Sequence, residues 1–97
     1  MEIAEVSPTI KLFVTKKDIE NGEPDTGDGC PIALSAKRRF GVKHGNVHVD
    51  YNGMVTIFEN LTPKEKWYLE DKGKNFIYGF DRDLPQKPCI IEATKLR

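Results

Sequence analysis

An α+β domain, with a four-stranded antiparallel sheet and two main helices on one face, is the fold this chain predicts. Two observations carry that expectation. Four short runs read as strands, the first of them, Ile10 to Val14, alternating and rich in strand formers. Two longer segments carry apolar residues at helical spacing behind recognisable start signals. Their order is β-α-β-β-α-β. With 97 residues the chain makes one domain, and a domain of that size buries roughly 65% of its unfolded surface.

Residues 1–8 read as a flexible arm ending at Pro8, and residues 9–97 as the single domain. Ile10 to Val14 is the first strand. Thr15 can cap a short helical turn, with Asp18 three residues on completing a capping box and Asn21-Gly22 ending it. A loop containing Pro24, Gly27 and Gly29 leads into Cys30-Pro31. Proline suits the first helical position, where its missing N–H costs nothing. This helix is expected to end near Phe40, with Lys37, Arg38 and Arg39 at the terminus that favours cations and Gly41 as a left-handed cap.

Asn46 to Asp50 and Met54 to Phe58 predict a hairpin around Tyr51-Asn52-Gly53. A two-residue Asn-Gly turn would split the apolar residues between both faces. A three-residue loop with Gly53 left-handed pairs Asp50 with Met54 and turns Val47, Val49, Val55 and Ile57 one way. Thr62-Pro63-Lys64-Glu65 has the form of a helix start, and Leu69, Gly73, Phe76, Ile77 and Phe80 follow as its buried stripe. Gly73 marks a close approach or break. Cys89 to Thr94 is the last strand, behind Pro88. The whole order fits a ferredoxin-like arrangement. The expected shared core is Ile32, Leu34, Val47, Val49, Val55, Ile57, Phe76 and Phe80.

The formal net charge is zero, which argues against a dedicated nucleic-acid binder, whose affinity comes largely from phosphate neutralisation. The charge is nonetheless polarised, with Asp18, Glu20, Glu23, Asp25 and Asp28 ahead of Lys37, Arg38, Arg39 and Lys43. No apolar run approaches the roughly 20 residues of a membrane helix, and the acidic start Met1-Glu2-Ile3 is unlike a signal peptide. A cytoplasmic protein with two reduced thiols, Cys30 and Cys89, is expected.

No Gly-x-Ser-x-Gly, no phosphate-binding glycine loop and no His-Glu-x-x-His is present. Cys30 ahead of a helix could have a lowered thiol pKa, but a nucleophile also needs a base, which only His44 or His48 could supply. A structural Cys30, no catalytic residues, no metal site and no cofactor are therefore expected. Leu12-Phe13-Val14 looks like the first-strand signature of the RNA-recognition motif, with Phe13 on the open sheet face. It fails on the third strand, where Met54 and Thr56 stand in place of base-stacking aromatics.

Val14-Thr15, Asp18-Ile19-Glu20-Asn21-Gly22, Cys30-Pro31-Ile32-Ala33-Leu34-Ser35 and Phe76-Ile77-Tyr78-Gly79-Phe80-Asp81 occur in that order, with Pro85 and Pro88 beyond. In these motifs the chain resembles a family of small bacteriophage-encoded proteins of unassigned function. Ser35 stands where that family usually has Ala, and Cys89 where an aromatic is often found. The resemblance implies expression in the bacterial host cytoplasm and carries over no active site. It fits a stoichiometric binder, an inhibitor of a host enzyme or defence system, working as monomer or homodimer. A nucleic-acid-binding accessory protein using the basic helix end is the alternative. The expected contact residues are Lys37, Arg38, Arg39 and Lys43 at that helix end, with His48, Met54 and Phe58 on the hairpin.

Overall fold

A computed structural model describes residues 8–42 and 46–96. The arm expected over residues 1–8 thus lies, apart from Pro8, outside the described residues, as do Lys43 and His44. Five strands and three helices are formed: β1 (Thr9–Val14), α1 (Lys16–Asn21), α2 (Pro31–Phe40), β2 (Val47–Val49), β3 (Met54–Glu59), β4 (Thr62–Leu69), α3 (Asp71–Asp81) and β5 (Cys89–Lys95). The sheet order is β1-β5-β4-β3-β2, and every neighbouring pair is antiparallel.

The local chemistry sets several elements as expected. The Thr15 hydroxyl accepts from the Asp18 N–H at 3.1 Å and the Asp18 carboxylate accepts from the Thr15 N–H at 2.9 Å, a complete capping box. Pro31 opens α2, and Gly41 closes it at φ 67°. In the β2–β3 hairpin Val49 pairs with Val55 and Val47 with Ile57. Asp50 and Met54 therefore flank a three-residue loop, with Gly53 at φ 91°. The Asp50 carboxylate braces it by accepting from the N–H groups of Asn52 and Met54.

The sheet has five strands rather than four, and its order is not the ferredoxin-like one. The difference arises at Thr62, where a helix was expected. Asn60 and Leu61 both take positive φ, 52° and 71°, and Glu59 pairs with Thr62 across them. This is a two-residue turn of the kind that matches strand twist. Beyond it Glu65, Trp67 and Leu69 alternate inward, a period of two rather than 3.6. Pro63 is tolerated because the ladder is interrupted there: Ile57 pairs with Glu65 and Phe58 with Pro63, leaving Lys64 as the extra residue of a bulge. The helix starts only at Asp71, and β1 is an edge strand with β5 as its neighbour.

The core lies between one face of this sheet and the helices. α2 packs on β1 and β2, α3 on β4 and β5, and α1 on α2. Leu12, Val14, Val47, Val49, Val55, Ile57, Trp67, Leu69, Ile91 and Ala93 come from the strands; Ile32, Ala33, Ala36, Phe76 and Ile77 come from the helices. Leu34 is not among them. It sits off the α2 stripe of Ile32, Ala33, Ser35 and Ala36 and is only half-buried. Phe80 packs against the core from its margin, stacked on Phe76 with ring centroids 6.2 Å apart. Gly73 is the close approach: a Cβ there would stand 2.8 Å from Ile91 Cγ2 and 2.9 Å from Leu69 Cβ.

Candidate partner-binding face

Strand alternation that buries one face presents the other. Its side chains are Thr9, Lys11 and Phe13 on β1, Ile90, Glu92 and Thr94 on β5, Lys66 and Tyr68 on β4, Met54, Thr56 and Phe58 on β3, and His48 on β2. All are exposed or half-buried. The register arranges them in rows. Phe13 pairs with Ile90 and Lys11 with Glu92; Thr94 lies between Thr9 and Tyr68, and Tyr68 also pairs with Met54. The next row joins Lys66, Thr56 and His48.

Two apolar patches result. One is the Phe13–Ile90 pair, with the two residues 56% and 42% exposed. The other is Tyr68 with Met54, and Phe58 lies further along β3. Lys11 and Glu92, paired across the strands, separate the two. Lys74 reaches over this end of the sheet, its Nζ 4.8 Å from the Tyr68 ring centroid. Its side chain passes Gly53, where a Cβ would come within 2.9 Å of Lys74 Cγ. His48 is lodged against Gly27, since a Cβ at that glycine would fall onto the imidazole ring.

The basic helix end lies elsewhere. α2 belongs to the covered side of the sheet, so Lys37, Arg38 and Arg39 are separated by the sheet from outward-facing His48, Met54 and Phe58. Lys37 is buried, and its Nζ donates to the Asp28 backbone carbonyl. Arg38 donates to both Asp18 carboxylate oxygens, at 3.0 and 2.8 Å, and to the Phe13 carbonyl at 2.8 Å. Arg39 is exposed, its guanidinium 5.8 Å from the Phe40 ring centroid. Lys43 lies outside the described residues. Phe13, Tyr68 and Ile90 complete the apolar content of the open face. The alternation of β1 places Phe13 there from sequence, whereas the helix-start pattern at Thr62-Pro63-Lys64-Glu65 masks the strand that carries Tyr68.

Cys30 lies in the buried N-terminal turn region of α2. Burial pushes its thiol upward, the nearby Ala33 and Ile32 N–H groups pull the other way, and the charge of Asp81 adds to the rise; the net direction is upward. That opposes the thiolate a nucleophile requires. His48 lines the same cleft as Cys30, but no hydrogen bond joins the two among the described residues. Cys30 and Cys89 are free thiols. Among the described residues no cluster of three or more His, Cys, Asp or Glu is placed to hold a metal ion. No helix there is long and apolar enough to cross a membrane.

The fold and face together define a small α+β protein whose five-stranded antiparallel sheet is covered by helices on one side. Comparison with protein-family models, curated proteins and solved structures finds no match to the chain.

Proposed function

We propose that this chain is a phage-type accessory protein that binds a host protein stoichiometrically through the open face of its sheet, and so inhibits a host enzyme or defence component. The observation that carries the reading is the exposure of Phe13, Ile90 and Tyr68 beside half-buried Met54 and Phe58. Apolar side chains grouped on a solvated sheet mark contact surfaces. The placement of the cations favours protein over nucleic acid as partner. Lys37 is buried and Arg38 is held by Asp18 and the Phe13 carbonyl, so the basic helix end offers less to phosphates than its composition suggests.

The test compares wild type with Phe13→Ser, with Met54→Ser/Phe58→Ser, and with Arg39→Glu. Host-protein capture, the mass of the resulting complex, and nucleic-acid binding at low and moderate salt are measured. Loss of a defined-stoichiometry complex in the sheet-face variants, with Arg39→Glu unaffected, is expected. Unchanged capture and mass in every sheet-face variant would refute the reading. Binding only to nucleic acid, lost in Arg39→Glu and abolished by salt, would replace it with the alternative.

A further inference from the structure

A concave surface forms where the loop before α2, the β2–β3 turn and the end of α3 meet, and it touches the open face only at His48. Two hydrogen bonds donated by backbone N–H groups build it. The Asp25 N–H donates to an Asp81 carboxylate oxygen at 2.9 Å, tying the loop to α3. The Val49 N–H donates to the Gly27 carbonyl at 2.7 Å, tying the same loop to β2. Between these ties lies a cleft of about 280 Å³ with Cys30, Val49 and Ile77 among its lining. It adjoins a wider depression of about 670 Å³ that shares Asp25, Tyr51, Ile77 and Asp81 with it.

The lining is apolar with an acidic rim. Tyr51 is 80% exposed and Tyr78 58%, so two aromatic side chains remain largely unburied beside Ile77. Asp25, Asp50 and Asp81 contribute three carboxylates, against the single cation Arg82. That arginine shows how the aromatic wall is used: its guanidinium carbon lies 3.7 Å from the Tyr78 ring centroid. An anionic ligand would meet three like charges here. A purely apolar one would strip water from carboxylates without replacing their hydrogen bonds. A guanidinium satisfies both parts of the lining, because it is planar, weakly hydrated, stacks on aromatic faces and donates in its own plane to carboxylates.

We propose that this groove docks an arginine side chain of a partner protein, with Tyr51 as the stacking surface and the Asp25 and Asp81 carboxylates as its hydrogen-bond acceptors. His48 is the groove's one lining residue on the open face, the function proposed above does not rest on that residue, and the test uses a probe that does not depend on any host partner. The full chain, labelled with ¹⁵N, is titrated with acetyl-Gly-Arg-Gly-amide and with the same peptide carrying citrulline, the neutral isostere of arginine. The arginine peptide should shift the amide resonances of residues 25–27, 50–51 and 77–82. The citrulline peptide should bind at least about tenfold more weakly, the usual margin of a charge-assisted over a neutral contact. Asp25 touches Asp81 through its backbone, so Asp25→Asn leaves that tie in place; it and Tyr51→Ala should each weaken the arginine peptide several-fold. Shifts absent from the groove up to about 10 mM peptide, or equal binding of the citrulline peptide to the wild-type chain, would overturn the proposal.

Discussion

Arg38 on α2 holds Asp18 on α1 with both terminal nitrogens, at 3.0 and 2.8 Å, and its Nη2 also donates to the Phe13 carbonyl at the end of β1. One side chain thereby joins three consecutive elements. Asp18 is buried while Arg38 is half exposed, its side chain retaining 52% of its accessible surface. Burial alone would raise the Asp18 carboxyl. The hydrogen bonds from Arg38 and from the Thr15 N–H, with the Arg38 charge, outweigh it and hold the carboxyl below its ordinary range.

Arg38→Ala leaves that buried carboxylate with only its Thr15 partner and should cost about 2–3 kcal/mol at pH 7. This is less than for a fully buried pair because Arg38 is half solvated. The pH dependence follows from the sign of the shift. A carboxyl lowered in the folded state stabilises above its unfolded pKa of about 3.9 and loses that contribution as pH falls through the lower folded value. In Arg38→Ala the part of that lowering owed to Arg38 is lost, so the gap between wild type and variant should narrow on acidification. Urea denaturation at pH 7, 5 and 3 checks this; a gap that is absent at pH 7 or unchanged at pH 3 contradicts it.

Gly73→Ala tests helix propensity against space. Alanine in an exposed helix interior would gain about 1 kcal/mol over glycine. At Gly73 the added methyl would stand under 3 Å from both Ile91 Cγ2 and Leu69 Cβ, and neither neighbour can yield, since both lie in the fully buried core. Overpacking of this kind costs about 1–3 kcal/mol. A net loss of stability is expected, and a Gly73→Ala protein melting higher than wild type would contradict the close packing of α3 on β4 and β5.

Cys30→Ser asks whether the thiol has any role beyond packing. The residue is the N-cap of α2, with extended φ and ψ of −73° and 162°, a position serine favours. The capping gain should offset most of the cost of burying a hydroxyl, leaving a net change within about 1 kcal/mol. Because burial raises the wild-type thiol, alkylation of Cys30 in the native protein should be slow at pH 7 and rise only above its ordinary pKa of about 8.5. Rapid labelling at neutral pH would show an activated cysteine.

How much of this was legible in the chain can be seen by comparing its two hairpins. At Asp50–Met54 the residues declare the geometry: glycine stands at the left-handed position, and only one register gathers the four apolar side chains on one face. At Glu59–Thr62 the second residue of the turn is Leu61, a γ-branched side chain in a conformation that glycine or asparagine usually fills. Without that signal, Thr62-Pro63 followed by Glu65 reads as a helix cap, although Glu65, Trp67 and Leu69 already alternate. Losing this one strand altered the strand count, the sheet order and the position of β1. It also hid Tyr68 on the open face. The buried state of Lys37 was equally invisible, because its partner is a backbone carbonyl in a loop nine residues earlier.

The same hairpin supplies the last prediction. Leu61 is 93% exposed and holds φ at 71°, so it contributes little packing while bearing a left-handed backbone that costs an L-residue about 1–2 kcal/mol. Glycine removes that strain but adds freedom to the unfolded chain, at about 0.5–1 kcal/mol. Leu61→Gly should therefore raise stability by roughly 0.5–1 kcal/mol. Leu61→Val, β-branched at the same backbone position, should lower it. Denaturant midpoints of the two variants with unchanged slopes are the measurement. A stabilised Leu61→Val, or a destabilised Leu61→Gly, would mean that Asn60 and Leu61 do not form this turn. The strand assignment of residues 62–69 would lose its support with it.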